Sequence, residues 1–353
     1  MNWTARLVGW AAFAAAGPLL LLAADPIPFL SDSQLVFTAI HALAATGLGL
    51  VMGLAGQASL GHAAFYGIGA YATAILTVER NWSPWLAMAA GAGIAGIVAA
   101  AVARSVFRAV EHFLAMATLA FGLIFVFAVQ HFDEFTGGNG GRGGIAKLSV
   151  LDIELDDAGR MFLFAWALVI VGVLLARNLV ASRAGRALRA LGESPIAAGC
   201  CGVNVVRFKI AVFVVAGVYG AVAGSLYAHH VTYVSPEEFG LQRSIELLIV
   251  VVVGGLTSPW GAVVGAFALL FVTEASREVI PRFVEGVTGP YELTVYGLLL
   301  VIVLIAFRRG LAGTVAHLWR SRQLIAVERA AERLETAPAG GPAAGPAASE
   351  AGR

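Results

Sequence analysis

Four polar side chains interrupt an otherwise apolar stretch of the chain, GLAGQASLGHAAFYGIGAYATAIL, which covers residues 53–76. They are Gln57, Ser59, His62 and Tyr66. In an apolar environment such groups either hydrogen-bond to a neighbouring helix or face a water-filled route. We interpret these four residues as candidate lining of a translocation pathway or gate, and bonding between helices stays open as the alternative.

The composition indicates the environment in which those side chains work. Of the 353 residues, 59% are hydrophobic and 13% are charged, whereas about a quarter of a soluble domain is charged. The apolar residues form continuous runs of about 18 or more, the length that crosses the hydrocarbon core of a bilayer as a helix. Because lipid cannot satisfy backbone polar groups, the spans must be helices. The sequence therefore predicts an all-α polytopic membrane protein.

The apolar runs predict eight full transmembrane helices and one two-helix hairpin. The eight spans are expected near residues 6–24, 34–54, 60–78, 85–103, 112–131, 161–179, 208–229 and 291–307. Residues 1–24 also resemble a signal peptide, but the run is long for one, which favours an uncleaved span. Residues 1–320 are predicted to form the transmembrane domain, and residues 321–353 a cytoplasmic tail, amphipathic at first and then rich in Ala, Pro and Gly.

The hairpin is predicted between residues 243 and 275. SIELLIVVVV is followed by the helix-breaking GGLTSPWG and then by AVVGAFALLFV. Both arms are short for a full span, so we expect either a re-entrant hairpin or two short tilted helices that enter and leave on one face. Thr257 and Ser258 at its tip, and Glu246 on its first arm, are candidate pathway residues. Glu246 can attract an ammonium group or pair with Arg243.

The charged residues predict how the chain is oriented. Residues 176–210 hold six basic residues and one acidic residue, and residues 132–160 hold three basic and six acidic residues. Because basic loops stay in the cytoplasm, the first segment is predicted inside and the second outside. Both termini are then cytoplasmic, in a bacterial-type inner membrane.

Glycines are predicted to form the surfaces where helices pack closely. Glycine costs helix propensity, but it allows two backbones to approach each other in lipid. The predicted packing positions are Gly53, Gly56, Gly61, Gly67, Gly69, Gly254, Gly255 and Gly261.

The basic segment, residues 181–207, contains the signals of a short docking helix. In GESPIAAGCCGVN, Ser194 is a good N-cap, Pro195 suits the first helical position, and Gly202 can end the helix. A helix of small residues on a cytoplasmic loop suits a groove of a soluble partner. We expect the apolar contact with this partner to be formed by Ile196, Ala197, Ala198 and Gly202. The polar rim around it is expected to be formed by Arg186, Arg189 and Glu193. The alternative is that the arginines only set topology.

Four ordered stretches resemble the LivM-type permeases of branched-chain amino acid ABC importers. They are the segment quoted above, TGGNGGRGGI (136–145), GRALRALGESPIAAGCCGVNVVRFKIAVFVVAGVYGAVAGSLYA (185–228) and SIELLIVVVVGGLTSPWGAVVGAF (244–267), within a match over residues 34–310. The resemblance implies a permease subunit that works by alternating access. It also implies four partner chains: a second homologous permease chain, two ATP-binding subunits and an extracytoplasmic binding protein.

Several other kinds of site are not expected. No G-x-x-x-x-G-K-[ST] occurs, so ATP hydrolysis belongs to a separate chain and this one is not an enzyme. Cys200 and Cys201 are adjacent and are interpreted as packing residues, and neither a metal site nor a cofactor is predicted. Two alternative functions stay open: a urea or short-amide importer of the same kind, and an ATP-independent channel or secondary transporter.

Overall fold

The computed structural model describes residues 13–21, 31–107, 114–150, 153–256 and 258–283, together with single residues at 294, 297, 298, 301, 310, 311, 313 and 314. Residues 13–21 are helical and are called α1. The predicted last span at 291–307 and the predicted tail at 321–353 fall outside this part of the chain, except for the single residues just named. The predicted first span, 6–24, is described only over α1.

Helices account for most of the described residues. They are α2 (Asp32–Ala55), α3 (His62–Arg80), α4 (Pro84–Val106), α5 (Leu114–His131), α6 (Asp133–Thr136), α7 (Ala158–Ala181), α8 (Arg183–Glu193), α9 (Pro195–Cys200), α10 (Val205–Val231), α11 (Leu241–Gly254) and α12 (Gly261–Phe283). Short 3₁₀ helices cover Gly138–Gly140 and Pro236–Phe239. Among the described residues, α2, α4, α5, α7 and α10 are long and apolar enough to cross a membrane. The all-α polytopic fold is therefore confirmed, and the count of eight full spans stays a prediction.

Four very short strands were not predicted. β1 (Arg142–Gly143) pairs antiparallel with β4 (Tyr233–Val234), and β2 (Ser149–Val150) pairs with β3 (Ile153–Glu154). Arg142 also forms an ion pair with Glu79 at 2.7 Å, and the Trp85 indole N–H donates to the Ser149 carbonyl at 3.0 Å. These contacts attach the segment that was predicted to lie outside, residues 132–160, to α3, α4 and β4. We call this region the ribbon end.

Helix α10 lies at the centre of the described bundle, where it packs against α2, α3 and α4. Its small residues let neighbouring backbones approach: a β-carbon on Gly224 would collide with the Tyr66 carbonyl of α3, and one on Gly217 would lie 2.9 Å from the Ala99 β-carbon of α4. Close packing of this kind replaces the hydrophobic driving force that helices lack in lipid.

The opposite end of the bundle is formed by α8 and α9, and we call it the α8–α9 end. Gly192 of α8 lies against the last turn of α2, where a β-carbon would come within 2.6 Å of the Leu54 carbonyl oxygen. Helix α2 ends here, because Gly56 adopts a left-handed conformation with a φ of 65°. The basic segment therefore packs directly on the end of α2.

Helix α3 begins halfway along the bundle. Its first residue, His62, lies beside the middle of α10, since a β-carbon on Gly220 would be 3.4 Å from His62 Nε2. The ring also lies within reach of the Ala44 carbonyl, near the middle of α2. Residues 56–61 have no helical structure and return from the α8–α9 end to this level. We call residues 56–61 the break segment. Helix α3 has 19 residues and agrees with the span predicted at 60–78 to within two residues. The level at which it begins was not predicted, because the sequence does not show that the break segment first returns to half-height.

The predicted hairpin is also asymmetric. Helix α11 has 14 residues and begins level with α3, because the Ser244 hydroxyl accepts a hydrogen bond from the Ala63 N–H at 3.1 Å. Helix α12 has 23 residues, which is long enough to cross a bilayer core. Their connection reaches the α8–α9 end, where the Leu256 carbonyl contacts Gly53 of α2. The expectation that both arms are short is therefore wrong for α12.

Candidate functional site

The break segment and the first residue of α3 hold three of the predicted pathway residues in a buried position. Gln57, Ser59 and His62 have exposed fractions of 5%, 1% and 1%. Among the described residues, both polar atoms of the Gln57 amide, the Ser59 hydroxyl and His62 Nε2 have no hydrogen-bond partner. An unpaired buried polar group costs about 1–3 kcal/mol. Such a cluster is a candidate for groups that bond to water or to a passing molecule.

Backbone groups around the same point are held by hydroxyl side chains. The Leu60 N–H donates to Thr118 Oγ1 at 3.1 Å, and the Ala63 N–H donates to Ser244 Oγ. The N-caps of α3 and α11 are Gly61 and Gly240, and neither makes a side-chain capping bond. Two helix N-termini, each carrying partial positive charge, therefore meet at half-height. Discontinuous helices that present their termini at this depth are typical of transporter interiors.

Tyr66 lies one turn beyond His62, inside an aromatic cluster. Its ring centroid is 5.5 Å from that of Phe239 and 5.6 Å from that of Tyr227. The ring is 1% exposed, and the hydroxyl has no hydrogen-bond partner among the described residues. Phe239 directly follows Glu238, which belongs to a neighbouring charged region. Tyr66 therefore connects the break segment to a charged region.

That charged region is organised by Arg243, on the first turn of α11. Its guanidinium donates to Glu246 and to Glu238, each at 2.6 Å. It also lies 2.9 Å from His41 Nε2, while His41 Nδ1 lies 2.6 Å from the Phe37 carbonyl. These partners assign the imidazole proton to Nδ1, so that neutral His41 accepts from Arg243. The predicted pairing of Glu246 with Arg243 is confirmed, and Glu246 also accepts from Gln242 at 3.3 Å.

A cavity of about 290 Å³ lies beside this network, between α2, α11 and α12. Glu238, Arg243, Glu246, Glu274 and Arg277 line it together with apolar side chains. We call it the Arg243 cavity. An apolar pocket with a few convergent polar groups is the usual form of a small-molecule site. Sequence analysis included Glu246 but missed Arg243, His41 and Glu238 as parts of one site, because they come from separate elements.

The eight predicted packing glycines lie at three kinds of position. At five positions a β-carbon would collide with a backbone carbonyl of another segment; these are Gly53, Gly61, Gly69, Gly254 and Gly261. At Gly67 it would collide with the Phe125 ring. The other two, Gly56 and Gly255, have a positive φ. Larger residues at the first five positions would require backbone movement. Their role in letting helices slide stays a prediction.

The tip of the α11–α12 hairpin borders a second cavity, of about 110 Å³. Ser258 lines it together with Gly53 and Arg189, and the Ser258 hydroxyl accepts from the Trp260 N–H at 3.3 Å. Thr257 lies outside the described residues. The predicted gate residue Ser258 and the predicted rim residue Arg189 are thus neighbours at the α8–α9 end.

The basic segment, residues 181–207, which we call the coupling segment, forms two helices with the predicted caps. The Ser194 hydroxyl accepts from the Ala197 N–H at 3.3 Å, Pro195 is the first helical residue, and Gly202 follows the helix with a φ of 81°. Ile196 is 83% exposed. Five other residues of the predicted contact and rim are also exposed: Arg186, Arg189, Glu193, Ala197 and Gly202.

Two residues of this segment do not lie as predicted. Ala198 is 3% exposed, because it turns inward and packs with Leu188 and Leu191 of α8. It therefore does not lie on the outer surface of α9. Cys200 and Cys201 are free and exposed rather than packing residues, since α9 is too short to cover them. No group of three or more His, Cys, Asp or Glu side chains that could hold a metal ion occurs among the described residues.

Comparisons with known proteins agree with the resemblance. The family model described as "Branched-chain amino acid transport system / permease component" matches residues 31–304. The LivM protein of Escherichia coli K12, a high-affinity branched-chain amino acid transport system permease protein, is 29% identical, and the alignment covers 91% of this chain and 77% of the relative. The protein of the same name from Salmonella typhimurium LT2 is 28% identical, with the same coverage. No solved structure matches. The chain therefore belongs to the family of permease components of branched-chain amino acid transport systems.

Proposed function

We propose that this chain translocates branched-chain or other hydrophobic amino acids across the inner membrane by alternating access. As a permease component of an ABC transporter it is a multi-pass membrane subunit, and ATP is hydrolysed by a separate subunit. The observation that carries the proposal is the break segment, with its buried Gln57 and Ser59, together with the buried His62 at the start of α3. Irregular backbone at membrane depth is tolerated only where protein or a water-filled cavity surrounds it.

The position of the coupling segment supports a mechanical link to that route. A cavity of about 410 Å³ is lined by Gln57 and Ala58 on one side and by Leu191, Gly192 and Pro195 on the other. Movement of α8 and α9 would therefore change the space beside the break segment without any intervening element. On this proposal the ATPase moves α9, and the break segment and the α11–α12 tip open or close the route.

The remaining partners follow from the family. A second homologous permease chain would complete the route, two ATP-binding subunits would dock on the α8–α9 end, and an extracytoplasmic binding protein would dock on the ribbon end. On this proposal both termini and the α8–α9 end lie in the cytoplasm, and the excess of basic residues at 176–210 supports this orientation.

Co-purification tests the docking surface. Ile196→Glu places a charge on the most exposed part of α9, so we expect it to reduce the amount of ATPase subunit that is retained with the chain, together with ATP-driven leucine uptake. Ala146→Glu is the control, because it introduces the same charge at an exposed position of the ribbon end. Undiminished retention in Ile196→Glu would contradict docking on α9. Uptake that persists without any ATPase subunit would instead favour a channel or secondary transporter.

Labelling of the two native cysteines tests orientation. Cys200 and Cys201 are the only cysteines in the sequence, and both are exposed at the α8–α9 end. A membrane-impermeant maleimide should therefore label inside-out vesicles and leave right-side-out vesicles unlabelled. Cys200→Ser with Cys201→Ser is the blank. Labelling in right-side-out vesicles would reverse the proposed topology.

A further inference from the structure

Two voids lie along the line where α5 meets the break segment. The cavity of about 410 Å³ at the α8–α9 end is bordered by Ala58 of the break segment and by Ala115 of α5. A much smaller void, of about 10 Å³, is bordered by Leu60 and Leu119 of the same two segments and by Ser244 at half-height. Its volume is about the space that one water molecule needs. The two voids therefore follow each other from the α8–α9 end towards the middle of the bundle.

A contact between Thr118 and the break segment separates these voids. Thr118 is 1% exposed. Its hydroxyl accepts a hydrogen bond from the Leu60 N–H at 3.1 Å and donates one to the Ala115 carbonyl at 3.0 Å. A β-carbon on Gly61 would collide with the Thr118 carbonyl, and one on Gly122 would lie 3.3 Å from the Gly61 α-carbon. The two backbones therefore touch directly, and no amino acid can pass between them in this arrangement.

Helix α5 is held differently on the two sides of Thr118. Towards the ribbon end, the rings of Phe121 and Phe125 pack against aromatic rings of α3, with centroid distances of 5.2 and 6.5 Å. Towards the α8–α9 end, Leu114 and Ala115 border the larger cavity instead. The first turn of α5 therefore has space beside it, and Thr118 lies where the packed part of the helix begins.

We propose that the contact of Thr118 with Leu60 and Gly61 is the cytoplasmic gate of the translocation route, closed in this arrangement. This inference rests on the proposed function and adds to it the residues that close the route. The gate opens when the beginning of α5 moves away from the break segment, and the Leu60 N–H then bonds to water from the cavity. Pro195 of the coupling segment borders the same cavity, so a movement of that segment changes the space in front of the gate.

Accessibility of a reporter cysteine tests the gate in inside-out vesicles that contain the whole transporter. Leu119→Cys places a thiol at the void beyond Thr118, and Ala115→Cys places one at the cavity in front of it. The probe is a trimethylammonium methanethiosulfonate, whose charge keeps it out of lipid, and modified peptides are quantified by mass spectrometry. Ala115→Cys should react readily and Leu119→Cys slowly. The exposed Cys200 and Cys201 report access of the probe in every sample.

Conservative changes at Thr118 separate the gate from the fold. Thr118→Val removes the acceptor of the Leu60 N–H and nearly keeps the shape of the side chain. It should speed up the reaction of Leu119→Cys about fivefold, the factor that corresponds to the loss of one hydrogen bond. Thr118→Ser keeps the hydroxyl and should not change the rate. Thr77→Val is the matched control and should not change it either, because the buried Thr77 hydroxyl bonds within its own helix, to the Thr73 carbonyl.

A reversible lock tests whether this contact moves during transport. Leu60→Cys together with Leu119→Cys places two thiols on the same small void, where a short, membrane-permeant bifunctional methanethiosulfonate can join them. The native cysteines are first replaced by Cys200→Ser and Cys201→Ser. Leucine uptake into right-side-out vesicles that enclose ATP should stop after this treatment and return after reduction. Leu119→Cys alone, treated in the same way, should keep its uptake.

Each result supports or overturns the gate. Equal reactivity of Leu119→Cys and Ala115→Cys, equal rates in Thr118→Val and Thr118→Ser, or full uptake by the locked protein overturns it. Any of these results in a transporter that takes up leucine leaves the proposed function intact and removes the gate alone. A parent transporter without ATP-driven leucine uptake removes the proposed function itself.

Discussion

The break segment and the Arg243 network are two buried polar regions at similar depth, and they differ in how their polar groups are satisfied. Arg243 has a carboxylate on two sides and His41 on a third, whereas Gln57 and Ser59 have no side-chain partner among the described residues. Paired charges hold neighbouring helices in one arrangement. Unpaired buried polar groups raise the free energy of the empty protein, and they form hydrogen bonds when a polar molecule arrives. The difference indicates that the Arg243 network holds a fixed geometry, and that the break segment exchanges partners.

The largest loss of stability is expected when the central guanidinium of the Arg243 network is removed. Arg243→Met removes the guanidinium that pairs with Glu246, whose side chain is 10% exposed. Breaking a buried pair in this way costs about 3–5 kcal/mol. Thermal unfolding of the solubilised chain should therefore shift strongly downwards. A variant as stable as the parent would show that the network does not hold the fold.

The next largest loss of stability is expected at Gly53, where the last turn of α2 packs against the α11–α12 tip. Gly53→Ala forces a β-carbon against the Leu256 carbonyl, and such overpacking costs about 1–3 kcal/mol. Gly49→Ala, one turn earlier, is the matched control, because its β-carbon would lie 3.8 Å from the nearest atom, in Val251. Unfolding measurements should separate the two variants. Equal stability would mean that the tip moves aside freely.

Two serine substitutions compare a paired with an unpaired buried hydroxyl. The Ser225 hydroxyl bonds to Thr73 at 2.8 Å and to the Gly69 carbonyl at 3.2 Å, whereas the Ser59 hydroxyl has no partner among the described residues. Ser225→Ala should lose about 1 kcal/mol of stability and keep uptake. Ser59→Ala should keep its stability and lose most leucine uptake. The opposite pattern would make Ser59 a structural residue.

The smallest loss of stability is expected at the ribbon end, where a partly exposed ion pair serves as the reference for the others. Glu79 and Arg142 are 30% and 19% exposed in their side chains, so solvent screens their ion pair. Glu79→Gln should therefore change the free energy of unfolding by less than about 1 kcal/mol. A change as large as that of Arg243→Met would show that burial does not explain the difference between the ion pairs.

Local chemistry explains which parts of the structure could be predicted from the sequence. The cap at Ser194, the proline at 195 and the helix end near Gly202 depend on adjacent residues, and all three were predicted. The Glu246–Arg243 pair joins residues three apart on one helix, so it too could be predicted from the sequence. The apolar runs predicted the long helices because lipid leaves the backbone few alternatives.

The parts that were missed depend on contacts between distant elements. His41 and Arg243 are 202 positions apart, and no local pattern joins them. The 19 residues of α3 agree with the predicted span, but hydropathy gives no information on depth, so it did not reveal that α3 begins level with the middle of α2 and α10. The inward direction of Ala198 depends on how α9 packs against α8. A small residue fits an interior or a docking surface equally well.

The length of the break segment has one further consequence. From Ala55 back to Ala44, α2 rises eleven residues, which is about 16 Å. The connection from Ala55 to His62 has seven residue steps, which span at most about 23–25 Å when fully extended. It therefore has no more than about 7–9 Å of slack. If the end of α2 moves away from the start of α3 by more than that distance, α3 must follow, whereas a longer connection would absorb the displacement.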